Sequence, residues 1–150
     1  MTRIRARLAG ESGQALLETA LTLPLLLLVS VGIFEFGRAY QTVQVVTNAA
    51  REGARLAVMP GQAAGAVDTR VRAYMTSGQL PNAATATVTV DPATTVDIGG
   101  GGTATATLVT VGYPYQFMVL QPVVRLLVPG ATLGAPITLT ATAQMRNESQ

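Results

Sequence analysis

Glu18 stands alone at the start of an apolar stretch in which the next sixteen residues, Thr19 to Phe34, carry no charge. Leu16 to Phe36 is 21 residues, and at about 1.5 Å per residue a helix of that length reaches about 31 Å, matching a hydrocarbon core of about 30 Å. A helix that is apolar all round has no face to offer water, so lipid or other helices must cover it. No other feature restricts the fold so strongly. A carboxylate inside such a segment is costly, which makes Glu18 a functional candidate by default.

The segment reads as a retained anchor. A cleaved secretory signal has an apolar region of about 7–15 residues followed by a small-x-small site. This run is longer, and it leaves through Phe34-Glu35-Phe36-Gly37-Arg38. Arg3, Arg5 and Arg7 precede it, so the positive-inside rule puts the N-terminus in the cytoplasm and the C-terminal body outside. Pro24 cannot donate to the Ala20 carbonyl and predicts a bend there. Glu35 and Arg38, at i,i+3, are expected as an interfacial anchor pair with both side chains reaching headgroups.

Glu18 has two readings. One is a hydrated carboxylate a turn inside the cytoplasmic interface. The other takes the small residue five positions earlier into account, and resembles a prepilin-type signal: cleavage after Gly13 creates a new amine on Gln14 and makes Glu18 the fifth residue of the mature chain. Glu18 would then neutralise the amine of a neighbouring subunit. Gly10, the other candidate, would put Ala15 at the fifth position and leave Glu18 without a role. Spacing favours Gly13, with residues 1–13 as the leader and 14–36 as the transmembrane helix.

Composition excludes most chemistry. The chain has no Cys and no His, and all ten of its basic residues are Arg. Thiolate, imidazole and lysine nucleophiles, bases and ligands are therefore missing. No catalytic, cofactor-binding or metal site is expected, and no small-molecule substrate. The +2 net charge belongs to the leader, where three Arg face Glu11. The remainder is neutral, without the basic patch that nucleic acid requires.

Beyond the span the pattern becomes amphipathic. Ala39, Val43, Val46, Ala50, Gly53 and Ala57 recur at helical spacing, opposite Gln41, Gln44, Asn48, Arg51 and Arg55. This stem helix is assigned to 37–58 and ends at Met59-Pro60-Gly61, so that one helix of about 66 Å would run from Ala15 to Val58. Arg51, Glu52 and Arg55 are either a solvated helix face or a candidate partner-docking patch.

The remainder, 59–150, is expected to be an extracytoplasmic α+β domain. A second helix is predicted over Ala63–Ser77, with Val67, Val71, Tyr74 and Met75 inward, an Asp68–Arg72 pair, Gly78 as C-cap and Pro81 blocking continuation. Period-two alternation predicts strands from Thr85 to Val90 and from Ile137 to Arg146. Thr103–Val111 is a further strand and Ala93–Ile98 a weaker one, joined to it by a Gly99–Gly102 hairpin loop. The glycines lack the Lys-Ser/Thr of a phosphate loop. Asp91 and Asp97 fall short of the six to eight oxygens, roughly, that a calcium site takes. The apolar run Phe117–Val128 is too short to span; core packing, partner docking and contact with the outer leaflet stay open.

Three blocks together carry a family resemblance: Gly13-Gln14-Ala15-Leu16-Leu17-Glu18, Phe34-Glu35-Phe36-Gly37-Arg38, and Thr47-Asn48-Ala49-Ala50-Arg51-Glu52-Gly53-Ala54-Arg55. From residue 13 to about 58 the chain resembles the TadE-like family, pseudopilin or minor-pilin components of the Tad (Flp) pilus and secretion machinery. The resemblance implies a prepilin-peptidase site at Gly13–Gln14 and a role for Glu18 in processing or assembly. It further implies an inner-membrane, single-pass location, with the bilayer, a prepilin peptidase, other pilus subunits and assembly proteins as partners. Flp pilins carry an aromatic residue after the glutamate, where this chain has Thr19, and they end soon after the span; the long body fits a minor component. The fold expected is α+β and pilin-like: a long helix packed on an antiparallel sheet of three to four strands, threonine face outward. The rival reading is an uncleaved envelope scaffold or adaptor.

Overall fold

The computed structural model describes residues 2–127, 130, 132 and 134–147. Its backbone is dominated by one helix, α1 (Thr2–Ala57), unbroken through Gly10, Gly13 and Pro24. The helix thus begins well before the expected Ala15. Hydroxyls within the apolar stretch bond back to the helix itself: Thr19 Oγ1 donates to the Ala15 carbonyl at 2.8 Å, Thr22 to Glu18 at 2.9 Å and Ser30 to Leu26 at 2.8 Å. Each polar side chain is therefore satisfied without water, as an apolar solvent demands. Leucines on every side of this half are open, from Leu16 to Leu28.

The second half of α1 carries the core. Val46, Ala49, Ala50, Gly53 and Ala54 are buried. The small-residue stripe is present with three changes from the expected set: Val43 is exposed, while Ala49 and Ala54 lie inside. Small side chains let neighbours approach closely, and Gly53 marks the closest point. A Cβ there would lie 2.6 Å from Val71 Cγ2 and 3.3 Å from Val109 Cγ1.

Helix α2 (Ala66–Ser77) turns Val71 and Met75 into this contact. It begins three residues later than predicted, because Gly65 takes a left-handed φ of 81°. Asp68 and Arg72 pair at 2.8 Å as expected, and Arg72 also donates to the carbonyls of Ala83 and Ala84, holding the 3₁₀ turn Ala83–Thr85. Gly78 caps the helix for another reason than conformational freedom. Its φ is −78°, and the left-handed residue is Gln79, at 59°. Leu80 N–H returns to the Met75 carbonyl and Gln79 N–H to that of Thr76, a Schellman closure. Gly78 is small because Val45 Cγ1 would lie 2.5 Å from any Cβ.

Three antiparallel strands follow in the order β1 (Thr87–Gly99), β2 (Gly102–Tyr115), β3 (Ile137–Arg146). The two strands predicted over Thr85–Ile98 are one, interrupted by a register shift between Asp91 and Thr94 at Pro92. Gly99 pairs with Gly102 across a tight turn whose central residues, Gly100 and Gly101, both have positive φ, the geometry that matches strand twist. Pro114 is tolerated in the middle strand because β1 has already ended opposite Gly112. Val109, Val111, Tyr113 and Tyr115 face α1 with Leu139, Ala141, Ala143 and Met145 beside them, while Thr138, Thr140 and Thr142 point outward. The result is a long apolar N-terminal helix packed on a three-stranded antiparallel sheet, an α+β, pilin-like arrangement.

Candidate functional site

β2 runs down the stem against the direction of α1. Its Val109 side chain lies at Gly53, and its last residue, Tyr115, reaches Glu35. The chain then turns into α3 (Leu120–Leu127), with Pro122 in its first turn, where a missing N–H does no harm. Of the segment left open as 117–128, residues 117–127 are thus a loop and a short helix at the foot of the sheet, and Val128 lies outside the described residues.

Glu35 joins this foot to the stem. It falls on the buried face of α1, four residues before Ala39 and seven before Thr42, and its side chain is 0% exposed. One carboxylate oxygen, Oε1, accepts the backbone N–H of Met118 at 2.9 Å and of Val119 at 2.7 Å. The other, Oε2, faces Arg38 Nη2 at 3.5 Å and the Tyr115 hydroxyl at 3.4 Å. That hydroxyl also lies 3.2 Å from the Glu35 carbonyl. The two N–H groups precede the first turn of α3, where a negative charge is favoured.

The i,i+3 partner of Glu35 does lie beside it, but Glu35 does not reach headgroups as the sequence reading expected. Its carboxylate is enclosed by residues about eighty positions away. Arg38 remains a quarter exposed; its Nη2 donates to the Gln116 carbonyl at 2.5 Å, and its guanidinium lies 5.0 Å from the Tyr115 ring centre. Burial raises the Tyr115 hydroxyl above the ordinary tyrosine value, with the Arg38 charge opposing. Phe117 meets the Tyr115 ring edge-on at 5.2 Å.

Arg51, Glu52 and Arg55 have different partners within the chain. Glu52 bridges the two helices: Arg70 of α2 donates to its Oε1 through Nη2 at 2.6 Å and Nε at 3.1 Å. These bonds hold the Glu52 carboxyl below its usual value. Arg55 approaches it more loosely, at 3.8 Å. Arg51 instead donates to Asn48 at 3.3 Å. Only the two arginines are exposed, and Glu52 is committed to holding α2.

Asp91 and Asp97 each bond locally, to the N–H of Ala93 and of Gly99, at the two register shifts of β1. Among the described residues no three His, Cys, Asp or Glu side chains gather. Gly13, Gln14 and Glu18 lie on the open part of α1, and among the described residues Glu18 has no ion-pair partner. A Cβ on Gly13 would touch nothing within 4 Å, so among the described residues no packing accounts for that glycine.

An open N-terminal helix long and apolar enough to cross a membrane, continuous with a stem that carries a small sheet, makes a pilin-like arrangement. Residues 13–55 match the model of the family described as TadE-like protein, and over that stretch the chain is similar to that family. The match begins at Gly13 and ends within the stem, so the sheet and α3 lie outside it. No curated protein and no solved structure matches the chain.

Proposed function

We propose that this chain is a minor pilin or pseudopilin-like structural component of Tad pilus biogenesis or secretion, processed between Gly13 and Gln14 by a prepilin peptidase. The observation that carries the reading is the pairing of Gly13 with Glu18 on an open apolar helix, at the first residue of the family match. Among the described residues Gly13 has no packing role in the fold and Glu18 has no partner. Both are therefore available to a second protein: Gly13 to the peptidase, Glu18 to the amine of a neighbouring Gln14. Residues 14–36 anchor the chain in the inner membrane, and the body from 59 onward lies outside the cytoplasm. The work is structural, and no reaction is assigned to the chain itself.

The mass of the membrane-extracted protein tests the processing step. In cells with a prepilin peptidase the chain should begin at Gln14, and Gly13→Leu should retain the leader by filling the space at the scissile bond. A full-length chain beside an active peptidase would instead establish the uncleaved scaffold. If Glu18 pairs with a neighbour's amine, processed Glu18→Gln protein should co-purify poorly with the pilus machinery. Wild-type recovery would reduce Glu18 to a tolerated interfacial charge.

A further inference from the structure

We infer that the foot of the body, Met118 and Val119 with the start of α3, is a second membrane contact that lies in the outer leaflet beside the exit of α1. The inference rests on the reading of α1 as a membrane anchor. The apolar surface of the anchor does not stop at Leu28: Ile33, Phe34 and Phe36 are 71%, 61% and 68% exposed. Residue 35 lies between the last two. Because the Glu35 carboxylate holds the N–H of Met118 at 2.9 Å and of Val119 at 2.7 Å, those two residues are fixed at the depth of Phe34 and Phe36. The body cannot stand off from the membrane without breaking these bonds.

Side-chain chemistry at that level suits a bilayer boundary. Met118 is 65% exposed and Val119 36%. Phe34, Phe36 and, a turn above, Tyr40 surround the stem with exposed rings, the composition of an interfacial belt. Arg125 of α3 is exposed on the same foot, within reach of phosphate groups by the extension that long cationic side chains allow. The only carboxylate at this depth among the described residues is Glu35, and it is turned inward. Continuity with the anchor's own apolar surface selects lipid over a second copy of the chain as the occupant.

The chain contains no Trp, so a single introduced Trp reports its own surroundings. Full-length Met118→Trp, reconstituted in phosphatidylcholine–phosphatidylglycerol vesicles containing acyl-brominated lipid, should emit at shorter wavelength and lose most of its intensity to shallow bromines. Phe36→Trp should behave alike, Leu26→Trp should respond to deep bromines, and Met59→Trp, at the far end of the stem, should be untouched. Val119→Trp repeats the measurement should Met118→Trp not fold. Solvent-like emission at 118 and 119, with 26 and 36 quenched, would overturn the inference and leave the anchor standing. An unquenched Leu26→Trp would remove the anchor reading and this inference together. Short-wavelength but unquenched emission at 118, lost on dilution of protein in lipid, would assign the surface to a second copy and overturn the lipid contact.

Discussion

At the scale of single residues, the decisive side chain is Glu35, a carboxylate at the end of an apolar run with no exposed surface. A buried charge persists only where every acceptor position is used, and here two backbone N–H groups, a hydroxyl and a guanidinium use them. Glu35→Leu should therefore leave two N–H groups unpaired and destabilise the body by about 2–6 kcal/mol, at about 1–3 kcal/mol for each unsatisfied group. Glu35→Gln keeps one acceptor oxygen for the two N–H groups, loses the charge assistance, about half the bond strength, and sets an NH2 where Oε2 faced Arg38 and Tyr115; it should fall between Leu and wild type. Unfolding in mild detergent, followed by circular dichroism, ranks the three. Equal stability of Glu35→Leu and wild type would mean that the foot is held by packing alone. The sequence held one usable sign of this role. Stepping back from Thr42 and Ala39 by helical spacing lands on Glu35, so it shares the core face and not the lipid face. Its partners were not legible, because nothing local connects residue 35 to residues 115–119.

At the scale of elements, the end of α2 separates two uses of glycine that look alike in sequence. Gly78 reads as a C-cap, but the left-handed position is Gln79 and Gly78 answers to the bulk of Val45. Gly78→Ala should therefore be destabilising by about 1–3 kcal/mol, the usual cost of overpacking. Gln79→Gly should be neutral or stabilising by up to about 1 kcal/mol, since relief of the left-handed strain outweighs the added freedom of the unfolded chain. Melting temperatures of the two variants check this, and the reverse order would restore the simple C-cap reading. The tie between α1 and α2 gives a pH prediction. Arg70 lowers the Glu52 carboxyl in the folded chain, so the pair contributes fully above the ordinary carboxylate range and is lost as pH falls through the lowered value. Glu52→Gln should flatten the acid side of the stability profile and leave the neutral side less stable than wild type. An exposed pair contributes modestly, so the slope is the quantity to compare. Much at this scale followed from pattern: the stem stripe, Asp68–Arg72, the hairpin glycines and the alternation of β3. Pattern failed where a neighbour set the boundary, as at Gly65, or where a strand ran through Pro92 with a register shift.

For the whole molecule, the structure moves the boundary between anchor and body. The sequence reading ends the span at residue 36 and starts the amphipathic stem at 37, so that a fragment from about Gln41 onward would hold the stripe, the second helix and every strand. The folded chain puts two of the body's fastenings below that point. Glu35 accepts the Met118 and Val119 N–H groups, and Arg38 binds the Gln116 carbonyl and covers the Tyr115 ring. A fragment of residues 41–150 retains the stripe from Thr42 to Ala57, α2 and all three strands, so it should fold. It would also leave Tyr115 and the start of α3 without their partners. A fragment of residues 33–150 keeps them at the expense of exposing Ile33, Phe34 and Phe36, which mild detergent would cover. The longer fragment should be more stable by roughly 2–6 kcal/mol, at about 1–3 kcal/mol for each of the two N–H groups that lose their acceptor. Loosening should be confined to the foot in the shorter one, where hydrogen exchange at Met118 and Val119 would rise while exchange at Val109 and Val111 stayed slow. Denaturant midpoints supply the first comparison and residue-resolved exchange the second. Equal midpoints together with protected Met118 and Val119 amides in residues 41–150 would show that the body closes on itself without the anchor's last turn. The foot would then be a neighbour of the membrane exit and not part of its attachment.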